Sequence, residues 1–404
     1  MNEAELEELR RRAEAALSKP ARYGPDVDVT QFSVPPSPAS YEEILRASSH
    51  LLASVGVDLS GRGSAGTYLQ VDEEAVEIEV RTSGLRVLNL QQALEEGIVD
   101  DYFWRAVPVD ADKYTAAAEL FGRRQGYVVI AEKGAKIETP VQTCLLMSAP
   151  GAIQAPHNIV IVEEGAELHV VTGCLTMMER AGLHAGVSEF YVKRGGKLTY
   201  TMIHAWDEQT HVRPRTGVVV EEGGQYISHY VNMTPTASLQ TDPKVWLVGR
   251  GARAHLSSVI VAKGDSVMDV GGTVYLRAPD TSAEIVSRAV TKDRAEMIAR
   301  SLISAEAPGV RGYIECDGLL LSDRSRILTL PALDAKHSDV QLSHEAAVGK
   351  LSEDQIFYLM SRGFSEDEAT SMLVRGFMEV KLEGIPDELR RQIEMAISMA
   401  AAGL

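Results

Sequence analysis

From Tyr127 onward, short runs of Val, Ile, Leu and Tyr are cut by one recurring turn, in which a charged residue precedes Gly and a small residue. It appears as Lys133-Gly134-Ala135, Glu164-Gly165-Ala166, Arg194-Gly195-Gly196, Glu222-Gly223-Gly224 and Arg250-Gly251-Ala252. From one turn glycine to the next, the sequence numbers step by 31, 30, 28 and 28. A fixed period of this size, with strands on either side of a turn, marks a solenoid whose repeats bury their apolar faces only against their neighbours. A β-sandwich of regular hairpins would call for Asn-Gly or Asp-Gly turns, which these five positions lack. The pattern predicts a mainly β fold: a right-handed parallel β-helix core, with an N-terminal α/β region and a C-terminal helical domain.

If each period is one coil, residues at equal offsets from the turn glycine stack about 4.8 Å apart on adjacent coils. Nine residues after each glycine stand Thr143, Cys174, His204, Asn232 and Ile260. Because side chains alternate faces, Cys174 shares its side with Leu168 and Val170, and His204 shares its side with Leu198, Tyr200 and Trp206. These companions point the column into the solenoid, as an internal polar ladder or as a functional lane.

The remainder of the chain divides around this core. Residues 2–18 read as a helix ending at Lys19-Pro20, followed by the Pro-rich Val34–Pro38 and a second helix capped by Ser40 and ending near Gly56. Strand-like YLQV, VEIEV and LRVLNL and a helical QQALEEGI complete an N-terminal domain over 1–123. The β-helix is expected over 124–342 and a helical domain over 343–404. In the latter, Ser352 with Gln355 and Ser365 with Glu368 read as capping boxes, and Gly363 stops the first helix. The two short helices are amphipathic, and packing against the open end of the solenoid is the plain explanation of their apolar faces.

Composition narrows the function. The net charge of −17, from 40 basic and 57 acidic residues, argues against a nucleic-acid partner, because phosphate binding needs clustered Lys and Arg. No run of ~18 apolar residues suits a membrane span, and the start MNEAELEELRRR is unlike a secretory signal, so a cytoplasmic location is expected. Three cysteines, Cys144, Cys174 and Cys316, are too few and scattered for a disulfide framework and lack zinc-finger spacing. No GxxxxGK[ST] loop is present, so any ATP hydrolysis must come from a partner.

Cys316 and His344 are separated by the same step as the last pairs of turn glycines. The same ruler brings them close at the C-terminal end of the β-helix. A thiolate and an imidazole suit iron or zinc, and Glu345 joins them if its segment turns rather than extends. One chain then offers at most three ligands, whereas an iron–sulfur cluster takes about four. A two-fold dimer joining the ends of two solenoids would double the set.

The stretch SHEAAVGKLSEDQIFYLMSRGFSEDEATSMLVRG, Ser343 to Gly376, resembles the C-terminal signature of the SufB/SufD family, scaffold proteins of iron–sulfur cluster assembly. The resemblance continues back through GYIECDGLLLSDRSRILTLPALDAKHSDVQLSHEA and, more loosely, TGCLTM, LHAGVSEFYVKRGGKLTYTMIHAW, YVVIAEKGAKIETP and DKYTAAAELF. It implies that Cys316 accepts sulfur, as a thiolate able to become a persulfide, and that Cys316, His344 and Glu345 hold the nascent cluster. SHEA combines a SufB-like Glu345 with a SufD-like Ser343, which fits a single SufBD-type subunit forming a homodimer, or one half of a SufB/SufD-type heterodimer.

The resemblance further implies an internal sulfur path from Cys174 past His204 and Trp206, although Met202 and His204 stand where SufB proteins carry Thr and Gln. It implies docking of the ABC-type ATPase SufC on the C-terminal helices, a sulfur donor, and apo iron–sulfur proteins as recipients. Two other readings remain: a passive SufD-like subunit that carries no sulfur, and a β-helix polysaccharide lyase or hydrolase, for which no paired-carboxylate motif is evident.

Overall fold

The five marker glycines have φ between 64° and 73°, the left-handed region. Nothing lies within 4 Å of a Cβ built on any of them. Backbone conformation, not space, therefore demands glycine there. The reward is a stacked turn: Gly134, Gly165, Gly195 and Gly223 donate to the carbonyls of Glu164, Arg194, Glu222 and Arg250 on the next coil at 2.8–2.9 Å.

The computed structural model describes residues 1, 3–122, 124–177, 181–232, 234–379, 391 and 394. Its helices are α1 (Glu3–Ala16), α2 (Tyr41–Ser54), α3 (Leu90–Glu95), α4 (Lys113–Phe121), α5 (Glu353–Ser361) and α6 (Glu366–Met378). Between α4 and α5 the chain forms the predicted β-solenoid. A ten-stranded sheet carries eight parallel strands from Val141–Met147 to Val340–Lys350, and a thirteen-stranded sheet faces it. Early coils are kinked, and short strands at Ile153–Gln154, Gly182–His184, Thr210–Val212 and Ser238–Thr241 form a third ladder. This ladder merges into Val267–Leu276, whose two halves pair Ser238–Thr241 and Lys244–Leu247. Later coils therefore consist of two long strands.

The first third of the chain is woven into both sheets. Gly66–Val71 pairs parallel to Val141–Leu146, and Leu85–Asn89 pairs antiparallel to Tyr127–Ala131. At the other end the last strand runs to Lys350, beyond the boundary expected at 342. The loop between α3 and α4 is clasped to the solenoid by Glu189. This fully buried carboxylate accepts from the amides of Trp104 (2.7 Å), Ala106 (2.5 Å) and Val107 (2.9 Å) and lies 2.7 Å from His157 Nε2.

The C-terminal hairpin does not cap the solenoid end. Val374 and Met378 of α6 join Leu52 and Val55 beside α2, together with Cys144, Val171, Val290 and Leu319, on the outer face of the ten-stranded sheet. Each such buried aliphatic contributes about 1.5–3 kcal/mol. The Ser365–Glu368 capping box forms, whereas Ser352 makes no side-chain cap bond. The chain beyond Glu379 lies outside the described residues, Arg391 and Glu394 apart.

Among the described residues, neither hairpin helix covers the solenoid end. Leu328, Leu330 and Val348 on its last two strands are 51%, 38% and 42% exposed. No residue of α5 is buried, and its Phe357 and Tyr358 are 67% and 59% exposed.

Candidate functional site at the open end of the solenoid

Cys316 lies in the strand Val310–Leu320, where alternate residues Gly312, Ile314, Cys316 and Gly318 are buried and face inward. In the ladder to the last strand, Cys316 pairs with Ala346, and His344 pairs with Ile314. The last coil is thus longer by two positions than the step from Cys316 to His344. Their side chains are therefore diagonal neighbours rather than stacked. A slip of two positions keeps the face, whereas a slip of one would have flipped it. From a rise of ~3.3 Å per residue and a strand spacing of ~4.8 Å, the two Cα atoms are roughly 8 Å apart.

Glu345 pairs with Glu315 and, in an extended strand, points to the opposite side of the sheet. There it adjoins Tyr313, whose hydroxyl is pushed up to about 12 by desolvation and by Glu315 and Glu345. Arg288 bridges Glu315 and Asp317, the latter at 2.8 Å. One chain thus places thiol and imidazole on the inner face and the carboxylate outside. Among the described residues no three His, Cys, Asp or Glu side chains are gathered in metal-ligand geometry.

The Cys316 thiol is fully buried and 3.6 Å from Ser301 Oγ. Burial pushes its pKa up, and the neighbouring Asp317 and Glu315 add to the rise. In the isolated chain these surroundings favour the neutral thiol. His344 and Glu345 are exposed, and among the described residues no further coil covers the last strand.

The pattern of the whole chain settles its kinship. A family model described as "SUF system FeS cluster assembly, SufBD core domain" matches residues 145–377. The chain belongs to the SufBD family. It is 39% identical to a SufBD family iron–sulfur cluster assembly protein of Methanothermobacter thermautotrophicus, over 99% of this chain and 100% of that one. It is 44% identical to one of Archaeoglobus fulgidus over 87% and 95% of the two chains, and 29% identical to one of Staphylococcus aureus over 93% and 83%. An iron–sulfur assembly role is thereby stated at family level, and the carbohydrate-enzyme reading falls.

The second set of sequence-predicted residues in this SufBD protein is only partly assembled. His204 pairs with Cys174 and Asn232, and Asn232 pairs with Ile260, as the glycine ruler gave. Thr143 does not belong: Leu145 pairs with Cys174, and Thr143 with Thr172. The first coil holds two extra positions, since Lys136 bridges Glu167 whereas Val141 pairs with Val170. Cys174 is fully buried, and desolvation pushes its thiol far up. His204 is held well below its usual pKa by burial, its Nδ1 lies 2.9 Å from Tyr230 Oη, and the Trp206 ring is 5.4 Å away.

The ladder containing Cys316 was not anticipated. It runs Thr143, Thr172, Met202, Tyr230, Ser258, Ser287, Cys316. Tyr230, Ser258, Ser287 and Ser301 line a narrow cavity of about 70 Å³ between the sheets. Its lining reaches Ser301 beside Cys316 at one end and, through Tyr230, the Cys174–His204 pair at the other. Five strand spacings separate the two cysteines, about 24 Å. Counting back from Cys316 one coil at a time would have found Ser287, Ser258 and Tyr230 in turn.

Proposed function

We propose that this chain is an assembly scaffold on which sulfur and iron are combined at the open end of the solenoid, between two copies meeting edge to edge. The observation that carries this reading is the inward-facing Cys316 with His344 diagonal to it, beside a bare sheet end with exposed Leu328, Leu330 and Val348. Cys316 is the sulfur acceptor, Cys316 and His344 are the ligand candidates on the inner face, and Glu345 would join them only if the last strand turned. Two-fold pairing across the Val340–Lys350 edge would bring a second imidazole and thiol to the pocket, which one chain leaves short of ligands. A SufB/SufD-type heterodimer is the variant of the same arrangement in which the partner is a different chain.

In this reading the ATPase partner is SufC, docked on α5 through exposed Phe357, Tyr358 and Met360, a helix face suited to a groove. Hydrolysis moves the hairpin and opens the interface. That motion would give the buried, neutral Cys316 thiol the access and charge that sulfur transfer needs. Cys174, His204 and Trp206 form the far end of an internal sulfur lane that continues along Tyr230, Ser258 and Ser287. Apo iron–sulfur proteins receive the product, and the setting is cytoplasmic. No helix among the described residues is long and apolar enough to cross a membrane.

The test is anaerobic cluster reconstitution with iron, a sulfur donor and the ATPase. Cys316→Ala and His344→Ala are expected to lose the cluster while keeping the wild-type melting curve, and a full cluster in both variants refutes the site. A second reading, a SufD-like subunit without sulfur, draws on the complete burial of Cys316. Mass spectrometry after sulfur-donor treatment separates the two: a persulfide on Cys316 supports the scaffold, and its absence in the complex with ATPase and nucleotide supports the passive subunit.

A further inference from the structure

Away from the open end, a cleft of about 400 Å³ lies between the α3–α4 loop and the outer face of the thirteen-stranded sheet. One wall is the loop segment Arg105–Pro108 and Ala111. The floor is formed by Arg215, Thr216 and Val219 with the neighbouring Asp242, Lys244 and Trp246, and Arg277 stands at the rim. Four cations thus converge against one carboxylate, on a chain whose net charge is −17.

The cations are incompletely employed. Arg215 spends Nε on Asp112 (2.7 Å) and Nη1 on the Pro214 and Gln240 carbonyls, while its buried Nη2 has no partner among the described residues. Lys244 makes no hydrogen bond or ion pair among them, and Arg105 makes only a 3.5 Å contact with the Asp100 carbonyl. Arg277 holds Glu306 through Nε at 3.2 Å, and its guanidinium lies over the Tyr275 and Trp246 rings at 5.4 and 6.0 Å from their centroids. The single carboxyl, Asp242, accepts from Thr273 Oγ1 at 2.9 Å, and burial pushes its pKa up, which weakens its repulsion of an anion.

Trp246 supplies a flat surface among these charges. Tyr275, on the neighbouring strand, stacks on it with centroids 5.9 Å apart and planes within 7°. Trp246 lines the cleft and Tyr275 does not, and Val219 is the residue paired with Trp246 on the neighbouring strand. Arginine forks match phosphate oxygens, an indole face accepts any planar base, and the volume is that of a small-molecule site.

We propose that this cleft binds a nucleotide-class ligand, with a planar heterocycle seated on Trp246 and its phosphates drawn to Arg105, Arg215, Lys244 and Arg277. An acidic peptide would satisfy the charges but leaves the indole face without a planar partner.

The chain, purified without any ATPase, is titrated with ADP, adenosine and inorganic pyrophosphate by calorimetry and by tryptophan fluorescence. Trp104 and Trp206 are 7% and 3% exposed, so quenching reports Trp246. ADP is expected to bind saturably and quench, with pyrophosphate and adenosine each weaker. Lys244→Glu and Arg277→Gln are each expected to loosen ADP by about tenfold or more, with circular dichroism unchanged. Trp246→Phe should keep calorimetric binding and lose the quench. The proposal is overturned by absence of saturable ADP binding, by pyrophosphate binding as tightly as ADP, or by full affinity in both charge variants.

Discussion

The proposed interface can be tested one amide at a time. In the Cys316 strand, Arg311 and Leu321 donate back to Thr281 and Thr291, so its odd-numbered residues face the preceding strand and its even ones face the last strand. On the last strand the Ala347 amide is directed back to the Asp317 carboxylate. By alternation Leu342, His344, Ala346 and Val348 present their N–H groups to the open edge. Ala346→Pro removes one such donor without touching the strand's own ladder, and its ring obstructs an approaching strand. In a two-fold pairing each change counts twice. Two lost bonds at about 1 kcal/mol each, before any cost for the carbonyls left facing them, loosen the dimer about 30-fold or more. Sedimentation equilibrium over a concentration series reads this directly. The control, Ala347→Pro, should instead lower the melting temperature of the monomer. An unchanged dissociation constant in Ala346→Pro, with the monomer intact, refutes edge pairing.

The remaining predictions concern stability. His169 and His184 are lowered by burial to about 3, and His204 is held well below its ordinary value. Below the unfolded value near 6.5 the unfolded chain takes up three protons that the folded chain refuses, so stability falls with pH at about 4 kcal/mol per unit once below ~6. Denaturant melts at pH 7.5 and 5.5 check the sign. Glu189→Ala strands three buried amides and His157, and is expected to cost about 3–5 kcal/mol, with deprotection of the Trp104, Ala106 and Val107 amides in hydrogen exchange. Gly173→Ala would place a Cβ 2.5 Å from Val55 Cγ2, forcing α2 outward at about 1–3 kcal/mol, read as a lower melting temperature.

The solenoid was legible because its turns need positive φ, and only glycine meets that need cheaply; the period could be read without knowing any contact. The site was legible in kind but not in register. The ruler assumes equal coils, and it slipped by two at both ends: in the first coil, between Lys136 and Val141, and in the last, where the markers have gone. Both slips preserve the face, so Cys316 and His344 share a side of the sheet although they are not direct ladder partners. The serine lane escaped notice because Ser258 and Ser287 carry no individual signal and acquire meaning only from Cys316 at the end of their ladder. The hairpin was misplaced for a different reason. Amphipathic spacing reports that a face is buried, not which surface buries it.

The two ends of the ten-stranded sheet are treated differently. At the N-terminal end the edge strand Glu74–Val80 is antiparallel and carries Glu74, Glu77 and Glu79, with Arg81 paired to the last two. Such a charged edge resists another strand. At the far end, the thirteen-stranded sheet finishes on Arg326–Ala335, where Arg326 and Lys336 donate back to Ala295 and Ala305. Its odd residues face outward, Pro331 among them, so this edge lacks a donor at its centre. Only Val340–Lys350, of these three edges, is long, free of proline and apolar at Leu342, Ala346, Ala347 and Val348. One receptive edge per molecule closes on itself as a pair, whereas receptive edges at both ends would propagate a fibre. In the proposed pairing the same asymmetry would put the junction beside Cys316 and His344, so the edge chemistry that would limit growth to two copies would also decide where a shared cluster is built.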